Sequence, residues 1–150
     1  GRAKDPGFAI IQTTDPDNPV LNLAAAQDYD AFFEQEIAYR KLGLYPPFCG
    51  LCVVGFAGPK ESEVARASAR FAALLGRQAA KQPDLPLRVL GPVRCTYGKL
   101  NGKYRYRIIL KCKNNAAFRQ FIRQLLCSTG SYKEFARVRV FADMNGDIGV

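Results

Sequence analysis

The chain contains no histidine. That removes the Ser-His-Asp and Cys-His arrangements of nucleophilic catalysis and the commonest metal ligand together. No run of about 18 apolar residues occurs, so a membrane-spanning helix is excluded. The first residues, Gly1-Arg2-Ala3-Lys4-Asp5-Pro6-Gly7, carry no apolar stretch of the secretory kind and no starting Met, and they read as the edge of a fragment from a longer protein. The five cysteines are odd in number and lack framework spacing, so a disulfide scaffold is not expected. A reducing cytoplasm fits this cysteine usage. The stretch Cys49-Gly50-Leu51-Cys52 is formally a C-x-x-C, but it has no second pair and no histidine to complete a zinc site. It also falls inside a strand-like segment rather than at a helix start, where a redox pair would sit. Cys95, Cys112 and Cys127 are isolated. Gly55 and Gly58 lack the Gly-Lys-Ser/Thr continuation of a phosphate loop. The sequence therefore offers no catalytic residues, no metal ligands and no cofactor site of its own.

Acids are also missing from one long stretch. Between Leu85 and Lys133 there is no Asp or Glu, and eleven of the chain's 22 Lys and Arg fall there. The first 84 residues hold nine bases against ten acids. A basic block within a balanced chain points to a polyanion or an acidic peptide as partner.

The 150 residues, 48% apolar and 23% charged, suffice for one folded domain with an appendage. Residues 8–13 form an apolar run before the Asp15-Pro16-Asp17 turn and read as a buried strand. Asn18-Pro19 signals a short helix through Ala24-Ala25-Ala26, Asp28 starts a longer one, and Gly43 can end it. The rigid corner Tyr45-Pro46-Pro47-Phe48 follows. Beyond it the spacing predicts a strand over 48–57, a helix over 60–81, strands over 87–93 and 103–112, a helix capped by Asn114 or Asn115, and a strand over 136–142. The fold class is α+β: a ferredoxin-like split β-α-β-β-α-β sandwich, with a four-stranded antiparallel sheet and two helices on one face. The domain boundary is expected near 41–44, dividing the chain into 1–42 and 43–150.

Alternation in the strand over 103–113 places Lys103, Arg105, Arg107, Ile109, Lys111 and Lys113 on one side, and Tyr104, Tyr106, Ile108, Leu110 and Cys112 on the other. The apolar side should pack on the helices. The cationic side should then form an open face that Arg137 and Arg139 join, with Arg94 and Lys99 in the preceding loop. Such a row suits phosphate oxygens, which arginine can grip through two hydrogen bonds. It suits a carboxylate-rich peptide equally. An RNA-recognition-type sheet would need aromatics on the open face, whereas Tyr104 and Tyr106 are expected to point inward.

Four stretches carry a family resemblance. They are Gly1 to Gly7; Phe8-Ala-Ile-Ile-Gln-Thr13 with Asn18-Pro19-Val20; Gln27-Asp-Tyr-Asp-Ala-Phe-Phe-Glu-Gln-Glu36 running on to Leu44-Tyr-Pro-Pro-Phe48; and Val89-Leu-Gly-Pro92 with Gly102-Lys-Tyr-Arg-Tyr-Arg107. Together they resemble the C-terminal end of the primosomal protein N′ family of bacterial replication-restart helicases. The first stretch looks like the tail of helicase motif VI, and the second like the last strand and exit of the second helicase lobe. The family's usual terminal Asp-x-Asp/Asn-Pro appears only as Asp143-Met144-Asn145-Gly146.

The resemblance implies a parent that is an ATP-dependent, three-prime-to-five-prime DNA helicase using ATP, Mg and Zn. The parts that bind these would lie before residue 1. Arg2 would match the arginine that senses the nucleotide phosphate. The C-terminal domain would resemble a small-subunit ribosomal protein in fold, bind DNA, and help dock the acidic tail of single-stranded DNA-binding protein beside other primosome proteins. The binding residues expected on these grounds are Arg94, Lys99, Lys103, Arg105, Arg107, Lys111, Lys113, Arg119, Arg137 and Arg139. A module that docks an acidic protein tail with little DNA binding of its own is the alternative. Its ligand would need a pocket combining bases with apolar walls near Tyr45–Phe48 and Lys111–Arg119. Removed from the rest of its sheet, segment 1–42 is expected to be partly disordered or to pack against something other than its usual neighbours.

Overall fold

A computed structural model describes residues 7–146. The chain divides into two compact units, the first ending at Gly43 and the second beginning at Leu44. Arg2, the expected nucleotide sensor, lies outside the described residues.

The first unit holds two helices, α1 (Pro19–Ala26) and α2 (Tyr29–Gly43). Asn18 caps α1, its side chain accepting from the Val20 N–H at 3.0 Å, and Pro19 supplies a helical φ at the first position. Gln27 closes α1 in the left-handed conformation. The Asp28 carboxylate accepts from the Ala31 N–H at 3.0 Å and starts α2. At the far end the left-handed residue is Leu44, with φ 51°, while Gly43 remains helical. The strand expected over 8–13 does not form: these residues have no regular structure, and Phe8 is 89% exposed. A strand exists only through a partner's hydrogen bonds, and the described residues of this unit include no other strand.

The second unit runs β1 (Gly50–Gly58), α3 (Glu61–Ala79), β2 (Leu87–Leu100), β3 (Lys103–Cys112), α4 (Ala116–Ser128), two short 3-10 turns, and β4 (Arg139–Met144). The sheet order is β2-β3-β1-β4, every pair antiparallel, which is the ferredoxin-like split sandwich. Helix α3 forms because Val64, Ala67, Phe71, Leu74 and Leu75 recur at helical spacing, with Glu61 and Glu63 favoured by the dipole at its start and Arg77 near its end. Asn115 caps α4, accepting from the Phe118 N–H at 2.9 Å. The hairpin between β2 and β3 turns on Asn101 (φ 50°) and Gly102 (φ 75°), two positive-φ residues as a two-residue loop of this hand requires.

The core lies between the helices and one face of the sheet. Cys52, Val54 and Phe56 of β1 and Ile108, Leu110 and Cys112 of β3 meet Phe71 and Leu75 of α3 and Phe118, Phe121, Ile122 and Leu125 of α4. Phe56 and Phe71 pack edge to face, with ring centroids 5.5 Å apart. Two strand boundaries differ from the sequence reading. β2 runs to Leu100 rather than stopping near 93, because bulges at Leu90/Val93 and Arg94/Lys99 let it continue past Gly91-Pro92 along β3. The last strand begins at Arg139, because 133–135 is taken up by a 3-10 turn that buries Phe135.

Candidate nucleic-acid interface

Facing strand residues in an antiparallel pair share a side of the sheet, so the registers assign each paired side chain to a face. The helix-side set contains Tyr104, Tyr106, Ile108, Leu110 and Cys112, matching the alternation expected for β3. Among the described residues of this unit, both helices pack on that side and neither covers the opposite one. It forms four rows across the sheet. One row holds Arg88, Lys111 and Leu51; the next holds Leu90, Ile109, Val53 and Asp143. The third holds Val93, Arg107, Gly55 and Phe141, and the fourth holds Arg105, Ala57 and Arg139. Lys103 continues this side at the start of β3, opposite Leu100. Asp143 is the only acid at these positions.

The expected site residues therefore separate. Lys103, Arg105, Arg107 and Arg139 share the open face, and Arg88, absent from the expected set, joins them through its pairing with Lys111. Arg94 and Lys99 do not lie in a loop. Both belong to β2 and face the helix side, because Arg94 pairs with Tyr106 and Lys99 with Tyr104. The Arg94 guanidinium sits 3.2 Å from the Glu61 carboxylate at the start of α3, and the Lys99 amine lies 5.0 Å from the Tyr104 ring centroid. Arg137 precedes β4 and lines a hollow with Glu63, Arg66 and Glu134, so it does not join the open face. Arg119 stands on α4 and donates to the Asn114 side chain at 2.9 Å. Sequence alternation could not place these four, since their neighbours sit in bulges, turns or helices rather than a regular strand.

Lys111 departs from the expectation of an exposed row. It is 7% exposed, and its amine lies 3.5 Å from the centroid of the Tyr45 ring. A cation held on an aromatic face is stabilised by the ring's quadrupole, more so when water is excluded. The corner Tyr45-Pro46-Pro47-Phe48 is thereby fixed against the end of the sheet. Beside it an open hollow of about 770 Å³ is lined by Leu44, Pro47, Phe48, Leu87, Arg88 and Lys113, among others. It combines apolar walls with bases.

The cysteines make no site. All five are free thiols. Cys52 faces the core, where burial, then Cys112 and then Asp143, pushes its thiol up to about 12. Burial and then Cys49 push Cys112 up to about 11. Cys49 donates its S–H to the Leu44 carbonyl at 3.0 Å. Among the described residues no group of three or more His, Cys, Asp or Glu is arranged to hold a metal ion. No helix among them is long and apolar enough to cross a membrane.

Comparison with known proteins supplies the remaining observations. Residues 41–145 match the model of the primosomal protein N C-terminal domain. The replication restart protein PriA of Rickettsia felis is 36% identical over 113 residues, covering 73% of this chain and 16% of that protein. The PriA of Bacillus subtilis is 26% identical over 145 residues, covering 97% of this chain and 18% of that protein. That of Treponema pallidum is 32% identical over 126 residues, covering 84% and 19%. The chain thus spans less than a fifth of the length of these relatives.

Proposed function

The chain belongs to the primosomal protein N C-terminal domain family, and from that premise we propose that it is a non-catalytic module of a bacterial replication-restart helicase. Its task is to hold the sugar-phosphate backbone of DNA at forks, in the cytoplasm, and to help dock single-stranded DNA-binding protein. The observation that carries this reading is the open sheet face, where Arg88, Lys103, Arg105, Arg107 and Arg139 stand against one acid, Asp143. Arginines held at fixed registers on a rigid sheet can meet phosphate oxygens in pairs of hydrogen bonds with little ordering cost. Contacts of this kind read charge rather than base sequence, so affinity should fall steeply with salt and vary little with sequence.

The hollow beside Phe48 supports the docking half of the proposal. Arg88 and Lys113 at its rim would meet carboxylates, and Leu44, Pro47, Phe48 and Leu87 would meet an apolar tail residue. If this hollow is the main site, the chain is instead chiefly a docking module for an acidic tail. Titration of labelled single-stranded, duplex and forked DNA at two salt concentrations, with and without an acidic tail peptide, separates the two. Salt-sensitive DNA binding supports the first reading. Peptide binding with no DNA binding refutes it and leaves the docking module.

ATP hydrolysis and unwinding would belong to the rest of such a helicase. No step of that chemistry is assigned to the described residues.

A further inference from the structure

We infer that the open sheet face takes single-stranded DNA with an unpaired base stacked on the ring of Phe141, an inference that rests on the phosphate-binding reading of the same face. Phe141 lies on β4, an edge strand, and its side chain reaches inward over β1 at Gly55, its register partner. A Cβ built on Gly55 would fall within 2.8 Å of Cζ, Cε1 and Cε2 alike. Near-equal approach to these three carbons means that it would meet the face of the ring over Cζ, not its edge. The ring therefore lies face down on the Gly55 backbone, and the absence of a side chain there is what allows it. Its other face is turned away from the sheet. The side chain is among the exposed large apolar residues, at 36%.

The surroundings of the ring are arranged for a nucleotide. Arg107 is the register partner of Gly55 on β3 and shares the row of Phe141. Arg105 and Arg139 flank the next row through Ala57, and the Arg139 guanidinium lies 5.7 Å from the Phe141 ring centroid. Rows on one face follow each other by about 7 Å, two residues of an antiparallel strand. On the opposite flank stands Asp143, and a hollow of about 190 Å³ beside the ring is lined by Val53, Gly55, Arg105, Arg107, Phe141 and Asp143. The carboxylate repels a phosphate on that flank and can accept from a base amino group. Charge thus favours the backbone at the Arg105–Arg107–Arg139 end and the base at the Phe141–Asp143 end. A paired base is covered on both faces within the duplex and cannot reach the ring. A base in a single strand can, and base-aromatic stacking tolerates any sequence because every base has a π-face.

Phe141→Leu keeps an apolar cover over Gly55 and removes the π-face; Phe141→Trp enlarges it. Affinities of the full 150-residue chain and both variants are measured for an oligothymidylate, an abasic oligomer of the same length, and a duplex, with urea midpoints to verify folding. We expect Phe141→Leu to lose about 5- to 150-fold on oligothymidylate, with little change on the abasic oligomer or the duplex. Phe141→Trp should retain or improve binding. An unchanged affinity of Phe141→Leu for oligothymidylate, or an equal loss on the abasic oligomer, overturns the inference. So does a loss confined to an acidic peptide, which would make the ring part of a protein site. The double variant Arg105→Gln/Arg107→Gln separates the two readings. If it weakens binding to the abasic oligomer while Phe141→Leu changes nothing, only the stacking fails; if it leaves the abasic oligomer unaffected, the phosphate reading itself fails.

Discussion

Neutralising two arginines tests how the open face binds, through the salt dependence rather than a single affinity. Five bases besides the buried Lys111 stand there: Arg88, Lys103, Arg105, Arg107 and Arg139. If each meets one phosphate of a single strand, the logarithm of the binding constant falls with the logarithm of salt at a slope of about −3.5, at about 0.7 per contact. A fourfold rise in salt then weakens binding about 130-fold. Arg105→Gln/Arg107→Gln removes two contacts and leaves a slope of about −2.1, so the same rise weakens binding only about 18-fold. Both side chains are half-buried at the surface of the sheet, and glutamine retains much of their length, so folding should survive. Fluorescence anisotropy with a labelled oligonucleotide at several salt concentrations reads the slope directly. An unchanged slope would refute the assignment of phosphate contacts to this face, whatever happens to affinity at one salt concentration.

Arg94→Ala should change DNA affinity less than about twofold in the same assay, because the side chain faces α3 and lies against Glu61; as an exposed pair its loss should also cost under about 1 kcal/mol of stability. Phe71→Ala removes a fully buried ring that packs on Phe56 and should cost about 3–5 kcal/mol, read as a lower urea midpoint. Asn115→Ala deletes the α4 cap and should cost about 1 kcal/mol by the same measurement. Thiol labelling at about pH 8 should modify exposed Cys127 first and leave Cys52 and Cys112 until the chain unfolds. Their folded pKa values, about 12 and about 11, lie above the ordinary thiol value of 9.0, so the folded state favours the thiol. The stability they contribute is complete below about pH 9 and is lost as pH rises through about 11 and about 12; equal labelling of all five cysteines in the folded chain would contradict this.

The order of elements from β1 on, the packing face of β3 and the caps at Asn18 and Asp28 were legible in the sequence, and the α4 cap was narrowed to Asn114 or Asn115, because each depends on neighbours a few residues away. Alternation put Tyr104 and Tyr106 inward, and helical spacing identified Phe71 and Phe118 as core. The strand over 8–13 illustrates the limit. Its apolar run has the composition of a buried strand, yet burial requires a partner, and among the described residues its unit offers only α1 and α2.

The face itself was decided by tertiary structure. Bulges in β2 set Arg94 and Lys99 toward the helices, and only the pairing of β2 with β3 brings Arg88 beside Lys111. Tyr45 and Lys111 are far apart in sequence, and their stacking turns an expected surface cation into a buried one. Phe141 gains a platform because Gly55, on a different strand, has no side chain to displace its ring. The sequence by itself determined that β3 carries a row of bases and which helix residues make the core, since both follow from local periodicity. Which bases share one face with the aromatic ring was fixed by strand register, a long-range property set by hydrogen bonding between strands that no local pattern encodes.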